Sequence, residues 1–315
     1  IDVNTIVPDD LKTIGPSPDS ISHMDLADAL LDKGRTKVFF AWNNNIMASS
    51  PEQKKLRQGL AREDLFTVCV ELFHTDTTNY ADLVLPAASF LEFDDLVVPY
   101  FDLTVSAQTK VIEPMGECLP NQEIFRKIAS ALDLQDEALF ESDESILAKC
   151  LAATGYEGNF EDLKRLGTVE LFEETRLQFH DKKFDTPSGK IEIACDAIIQ
   201  KGMPRLPEPH VDQSTAKGKL RVISPASNWL MNSTYGNDAR ILKKLGAPSI
   251  LIHAHDATRM ALEEGEMVNV NNATGELQLM IKISDIAQPG VAVIYKGHWP
   301  GKDGTKANVN VLNPG

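Results

Sequence analysis

Cysteine is scarce in this sequence: Cys69, Cys118, Cys150 and Cys195 stand far apart, with no C-x-x-C pair. An iron–sulfur cluster or a zinc-thiolate site needs about four clustered thiolate or imidazole ligands, so neither can be built from this chain alone. Most of the four lie in apolar stretches and are expected to be core thiols in a reducing compartment. Long apolar runs are missing as well. The stretch Leu83 to Leu91 is among the longest, far short of the roughly 18 residues of a membrane helix, so no spanning segment is expected. Basic charge is in deficit, with 31 Lys and Arg against 46 Asp and Glu and a net charge of −15. Phosphate neutralisation needs clustered Lys and Arg, which argues against a general nucleic-acid or anionic-membrane surface and leaves solubility as the meaning of the charge. Internal repeats, low-complexity tracts, an initiating Met and a signal peptide are also absent; the opening Ile1-Asp2-Val3 and the loop-like Pro16-Ser17-Pro18 are expected of a cut rather than of a natural terminus.

What is present is ordinary globular material: 315 residues, 43% hydrophobic and 24% charged, enough for two or three domains. Ser22-His23-Met24-Asp25 has the spacing of a capping box, Leu26 and Leu30 then share a face, and Gly34 supplies a stop. Lys37 to Trp42 reads as a strand, Ser50 and Pro51 start a helix carrying Leu56 and Leu60, and Phe66 to Leu72 and Asp82 to Leu85 give further strands. Strands alternating with helices in this order predict βαβ units and a mainly parallel sheet. The texture then changes. Asn121 opens a helix with Ile124, Ile128 and Leu132 at helical spacing, and a second helix over Ser142 to Ala153 carries the stripe Ile146, Leu147, Cys150 and Leu151, with Gly155 as stop. Met203 to Gly218, with three prolines, reads as a linker. Beyond it the period becomes two: Leu277, Leu279, Ile281 and Ile283 alternate with polar neighbours, as do Val268 and Val270. With Leu220 to Ser224, Ser249 to Ile252 and Val291 to Tyr295, this predicts a compact β-domain for which barrel closure would remove the edges.

Three places could carry chemistry. Trp42-Asn43-Asn44-Asn45 with Ser49 and Ser50 lies between a strand end and a helix start, where a parallel sheet binds ligands and a helix amino terminus offers N–H groups to phosphate. The same side chains could merely cap the helix. Glu71-Leu72-Phe73-His74-Thr75-Asp76-Thr77-Thr78 begins at the end of the next strand; an acidic residue there can accept from a ribose, and the hydroxyls form a polar lip, although hydroxyl-rich turns also serve as structural caps. Adjacent strands would bring both lips to one crevice. His253-Ala254-His255-Asp256 has the look of a His-x-His hydrolase start, yet no further His follows close behind the Asp to complete a metal site, and a strand end followed by a helix cap at Asp256 accounts for it better.

The order of these segments, together with Tyr80-Ala81-Asp82-Leu83-Val84-Leu85-Pro86, Ala87-Ala88-Ser89-Phe90-Leu91-Glu92, Pro187-Ser188-Gly189-Lys190-Ile191-Glu192, Gly265-Glu266-Met267-Val268, Asn272 with Gly275, and Asn308-Val309-Asn310-Val311-Leu312, resembles the carboxy-terminal region of the molybdopterin oxidoreductase family. That group includes formate dehydrogenases, nitrate reductases and dimethyl sulfoxide reductases. The sequence departs from the family at Ile46, where Pro is common, and at Glu71, where Asp is more frequent.

The resemblance implies an α/β plus β architecture: a Rossmann-like cofactor-binding domain over 1–115, a mixed helical segment over 116–205 returning to the body of the enzyme, and a C-terminal double-psi β-barrel over 218–315. It implies a molybdopterin guanine dinucleotide cofactor, usually two copies around one Mo or W. By the same similarity Asn45, Ser49, Glu71, Thr75, Asp76, Thr77 and Asp82 would hold one nucleotide arm, and Asn232, Ser233, His253, Asn272 and Asn310 the other arm or the pterin core. Neutral donors and helix ends suffice to fix such a polyanion. No residue here is proposed as metal ligand; the ligand and the iron–sulfur cysteines of relatives would lie before Ile1. The implied partners are that missing amino-terminal part, an electron-transfer subunit and a small-molecule substrate, with neither nucleic acid nor membrane insertion. A cytoplasmic location is expected, or a periplasmic one if an export signal lies upstream. The implied activity is two-electron or oxygen-atom transfer, with this portion inactive alone; the rival reading is a metal-free structural subunit of a respiratory complex.

Overall fold

The computed structural model describes residues 20–172, 177, 179–206, 208–209, 218–301 and 307–314. The opening residues through Asp19 and most of the expected linker fall outside them.

The first unit is a parallel three-stranded sheet in the order β1 (Val38–Trp42), β2 (Phe66–Glu71), β3 (Leu83–Pro86). Two helices cover one side, α1 (Leu26–Leu31) and α3 (Gln53–Leu60), separated in the chain by β1 and a single turn, α2 (Ile46–Ser49). Ala27, Leu30, Ile46, Met47, Leu56, Leu60 and Leu65 form the shared core, in which full burial of each Leu contributes about 2 kcal/mol. The approach of α1 and α3 depends on Gly59, because a Cβ there would meet the Leu30 Cβ at 2.7 Å. Ser22 caps the amino end by accepting from Met24 N–H, so the expected box is only half made.

The helix α4 (Asn121–Ala131) also belongs to this unit: Ile124 and Ile128 pack on Val70, Leu85 and Ala87. Leu132 caps α4 and is exposed, contrary to its expected place in the buried stripe.

A second, antiparallel sheet joins β4 (Asp95–Val97), β5 (Thr104–Gln108) and β6 (Thr168–Glu170). It is covered by α5 (Asp143–Ala153) and α6 (Phe160–Leu166) around Val105, Leu151 and Leu163. Ser142 caps α5 by accepting from Ser145 N–H, and Asn159 with Asp162 makes a full capping box on α6. Of the predicted α5 stripe, only Leu151 is buried; Ile146 is exposed because the covering sheet has just three short strands. The thiols depart from expectation too. Cys69 is buried, Cys118 and Cys150 are half-buried and Cys195 is exposed, all unpaired.

The C-terminal unit is a mixed five-stranded sheet in the order β7 (Arg221–Ile223), β11 (Val291–Val293), β8 (Ser249–Ile252), β10 (Glu276–Ile283), β9 (Met267–Asn271), with α7 (Ala239–Leu245) and α8 (Ala254–Met260) between strands. β7–β11 and β8–β10 pair parallel, and β11–β8 and β10–β9 antiparallel. The period-two pattern holds: Leu277, Leu279 and Ile281 point into the core with Ile250, Ile252, Ala292 and Ile294, while Ile283 at the strand end is exposed. A 3-10 turn, Val309–Leu312, closes this unit and inserts Val309 into the same core.

Candidate functional site

The carboxyl ends of β1 and β2 meet at one edge, where Asn43 N–H donates to Val70 O at 3.0 Å. Just beyond, Asn45 precedes α2, and its Oδ1 accepts from the Thr77 hydroxyl at 2.8 Å and from Thr77 N–H at 3.3 Å. The Thr77 hydroxyl in turn accepts from Met47 N–H at 3.1 Å. Thr75 holds its own turn, its carbonyl accepting from the Thr78 hydroxyl at 2.8 Å. Asn45, Thr75, Asp76 and Thr77 are all buried, and the Asn45 Nδ2 has no acceptor among the described residues. A buried amide donor without a partner costs about 1–3 kcal/mol, which makes it the point of this rim where a ligand acceptor would be rewarded most.

Ile46 takes the first helical position and donates its N–H to Asn44 O at 3.0 Å, a bond that Pro could not make. Ser49 lies half-buried, its hydroxyl donating to Asn45 O at 3.0 Å. Glu71 ends β2 at this same edge, and burial pushes its carboxyl above the usual range. Asp82 is elsewhere. It precedes β3 at the amino end of the sheet, and its carboxylate accepts from Thr67 N–H at 2.7 Å, which pins β2 to β3. The structure thus brings Asn45, Ser49, Glu71, Thr75, Asp76 and Thr77 to one end of the sheet and leaves Asp82 at the other.

The C-terminal candidates divide in a similar way. Asn310 Nδ2 and Asn308 Nδ2 both donate to Ala48 O, each at 3.0 Å, while Asn308 also donates to His298 O at 2.6 Å and accepts from Asn310 N–H at 2.8 Å. Glu52 N–H donates to Asn313 O at 3.0 Å. The two rims therefore touch directly, through α2. Asn272 supports the seam from behind, donating to Leu312 O at 2.7 Å and accepting from Thr274 and Gly275 N–H. A cleft of about 820 Å3 beside the seam has an apolar floor that includes Ile250 and Val270, and a polar rim of Asn269, Asn271, Asn272, Asn310 and Lys219. Asn232 and Ser233 sit in a loop outside this cleft.

His253 is the N-cap of α8, its Nδ1 accepting from His255 N–H at 3.1 Å. The cap is thus His253 and not Asp256, which is buried one step further on. There it accepts from Gly290 N–H at 2.6 Å and pairs with Arg259 at 2.8 Å; these contacts hold its carboxyl below the usual range. Among the described residues no group of three or more His, Cys, Asp or Glu is arranged to hold a metal ion. Asn308, the most connected residue of the seam, is not among the residues the resemblance assigns to the cofactor; its alternation with Asn310 about the buried Val309 is the sequence signal for it.

A family model described as Molybdopterin oxidoreductase matches residues 19–131, and one described as Molydopterin dinucleotide binding domain matches 220–315. The chain belongs to the molybdopterin oxidoreductase family. It is 34% identical to the probable oxidoreductase YoaE of Bacillus subtilis (strain 168), over 98% of this chain and 45% of that protein. It is 30% identical to the dimethyl sulfoxide/trimethylamine N-oxide reductase of Cereibacter sphaeroides, over 83% of this chain and 37% of the relative. Acetylene hydratase from Pelobacter acetylenicus shares the fold with a TM-score of 0.77 at 22% identity, covering 92% of this chain and 42% of that one. The chain spans less than half the length of these relatives. A molybdopterin cofactor follows from the matched domains, and the buried, acceptor-less Asn45 Nδ2 fits a polar anionic group at the α2 edge.

Proposed function

We propose that this chain is the carboxy-terminal, cofactor-holding portion of a molybdopterin guanine dinucleotide-dependent oxidoreductase acting on a small substrate, and that it is inactive alone. The observation that carries the reading is the α2 edge, where a buried donor without an acceptor sits between two polar rims tied through the Ala48 carbonyl. When bound, the cofactor supplies the Mo or W centre for two-electron or oxygen-atom transfer. The chain's own residues bind and orient: Asn45 Nδ2 donates to the anion, Thr75, Thr77 and Ser49 shape the lip, and Glu71 accepts from a ribose hydroxyl. His253, Asn272 and Asn310 keep the facing rim in register. Two cofactor copies, a double-psi closure of the C-terminal sheet, iron–sulfur centres and an electron-transfer subunit in the remainder of a longer protein, and a cytoplasmic location belong to the same proposal. No helix among the described residues is long and apolar enough to cross a membrane.

The test is Asn45→Asp in the complete protein, which keeps the oxygen that Thr77 needs and replaces the free donor by an acceptor. The expected result is loss of acid-released guanine nucleotide and metal, with near-ultraviolet circular dichroism unchanged. Full retention of both would remove Asn45 from the site, and their absence from the unaltered protein would favour a metal-free structural subunit. Calorimetric titration of the present chain with guanosine monophosphate should show only weak binding, since affinity depends on a preorganised enclosure that this portion supplies in part.

A further inference from the structure

A second cavity, of about 260 Å3, opens in the C-terminal unit between the end of α7 and the loop after β7. Its floor is apolar, reaching Leu279 and Ile294 of the core, and its rim carries Trp229, Lys244, Lys282 and His298. Lys244 Nζ stands 4.2 Å from the centre of the Trp229 ring. Neither Lys244 nor Lys282 meets a carboxylate among the described residues, although acidic residues outnumber basic ones in the chain as a whole. Burial lowers the affinity of His298 for a proton, so its ring is neutral near pH 7.

Beyond Trp229 the same loop continues into a segment held in a costly shape. Asn232 and Tyr235 adopt left-handed backbone angles, φ 54° and 67°, a region that a bulky Tyr rarely enters. Trp299 Nε1 donates to Ser233 O at 2.8 Å, and the Trp299 ring lies so close that a Cβ on Gly236 would sit 2.2 Å from its nitrogen. None of these residues lines the cavity, but the segment they fix follows directly on Trp229, which does.

We infer that this cavity is a binding site for a small planar aromatic anion, whose ring lies against Trp229 over the apolar floor and whose charge is taken by Lys244 and Lys282. The volume falls below the roughly 300–1,000 Å3 of pockets that enclose drug-sized ligands, which restricts the occupant to one fused ring system. Aromatic contact and an unpaired ammonium together select an anionic ring over an aliphatic acid or a neutral ring. None of the residues lining the cavity is among the twelve positions assigned to the cofactor, although the loop that carries Trp229 goes on to Asn232 and Ser233, which are; Asn45→Asp lies outside that loop and should leave the cavity intact, so the two readings can fail separately.

The probe is 2-naphthoate, titrated calorimetrically into the full chain, with 2-naphthalenemethanol as neutral ring and acetate as ringless anion. The expected result is saturable binding of one naphthoate per chain, at least tenfold tighter than either control. Lys244→Gln, at an exposed helix end that leaves the fold intact, should weaken naphthoate at least tenfold and leave the alcohol unchanged; Trp229→Ala should weaken both. Absence of saturable naphthoate binding, equal affinity for the alcohol, or an unaltered affinity in Lys244→Gln would overturn the assignment.

Discussion

At the rim of the parallel sheet the Asn45 carboxamide accepts two bonds from Thr77 and keeps a buried donor without an acceptor, whereas at the C-terminal rim Asn272, Asn308 and Asn310 each donate to a main-chain oxygen. The same amide chemistry thus does two jobs. One rim retains an unmade bond, which is a capacity for a ligand; the other has converted its amides into structure. Polar residues of one type in one site need not share a role, and the count of bonds already made separates the roles.

Substitutions can break or sharpen that contrast. Thr77→Val should cost the most, about 3 kcal/mol in urea unfolding, because it strips the buried Met47 N–H of its acceptor and Asn45 Oδ1 of its best donor. A loss near zero would mean that the first rim is loosely held and the contrast is overstated. Asn308→Ala should follow at about 2 kcal/mol, leaving His298 O and Asn310 N–H without partners. Amide exchange at Met47 and Thr77 should also rise in that variant if the seam supports the first rim.

Asp256→Asn should cost about 1.5 kcal/mol near pH 7, by loss of the charge-assisted bonds from Gly290 and Arg259. The folded carboxyl is held below its ordinary range, so the stabilisation is fully present above that range and disappears as pH falls through the folded value. Unfolding midpoints of the two proteins should therefore converge in acid; a constant gap would assign the effect to packing. Asn272→Ala, at an exposed turn, should be mildest, about 1 kcal/mol by thermal melt.

Much of the architecture was legible. β1, β2, β3 and β10 were read within a residue or two because apolar runs and period-two alternation survive in single sequences, and the parallel order followed from intervening helices. The turn α2 was not legible, since Ile46–Ser49 is too short to display a period. The resemblance groups Asp82 with the lip residues, whereas β3 begins at the opposite end of the sheet from where β2 stops, as parallel pairing demands, so Asp82 lies at the other edge. The α5 stripe and Leu132 failed for another reason: helical spacing reports which face is apolar and says nothing of how much partner surface exists to cover it. Gathering of Asn45, Glu71, Thr75 and Thr77 at one edge was foreseeable; the direct grip between the rims was not, because it depends on a carbonyl, Ala48 O, that no side-chain pattern announces.

That single oxygen has a mechanical consequence. With both carboxamides of Asn308 and Asn310 converging on it, and the Glu52 N–H held by Asn313 alongside, a slip of one unit against the other by little more than a bond length undoes all three contacts together. The three contacts share one geometry, so they are made or lost as a set.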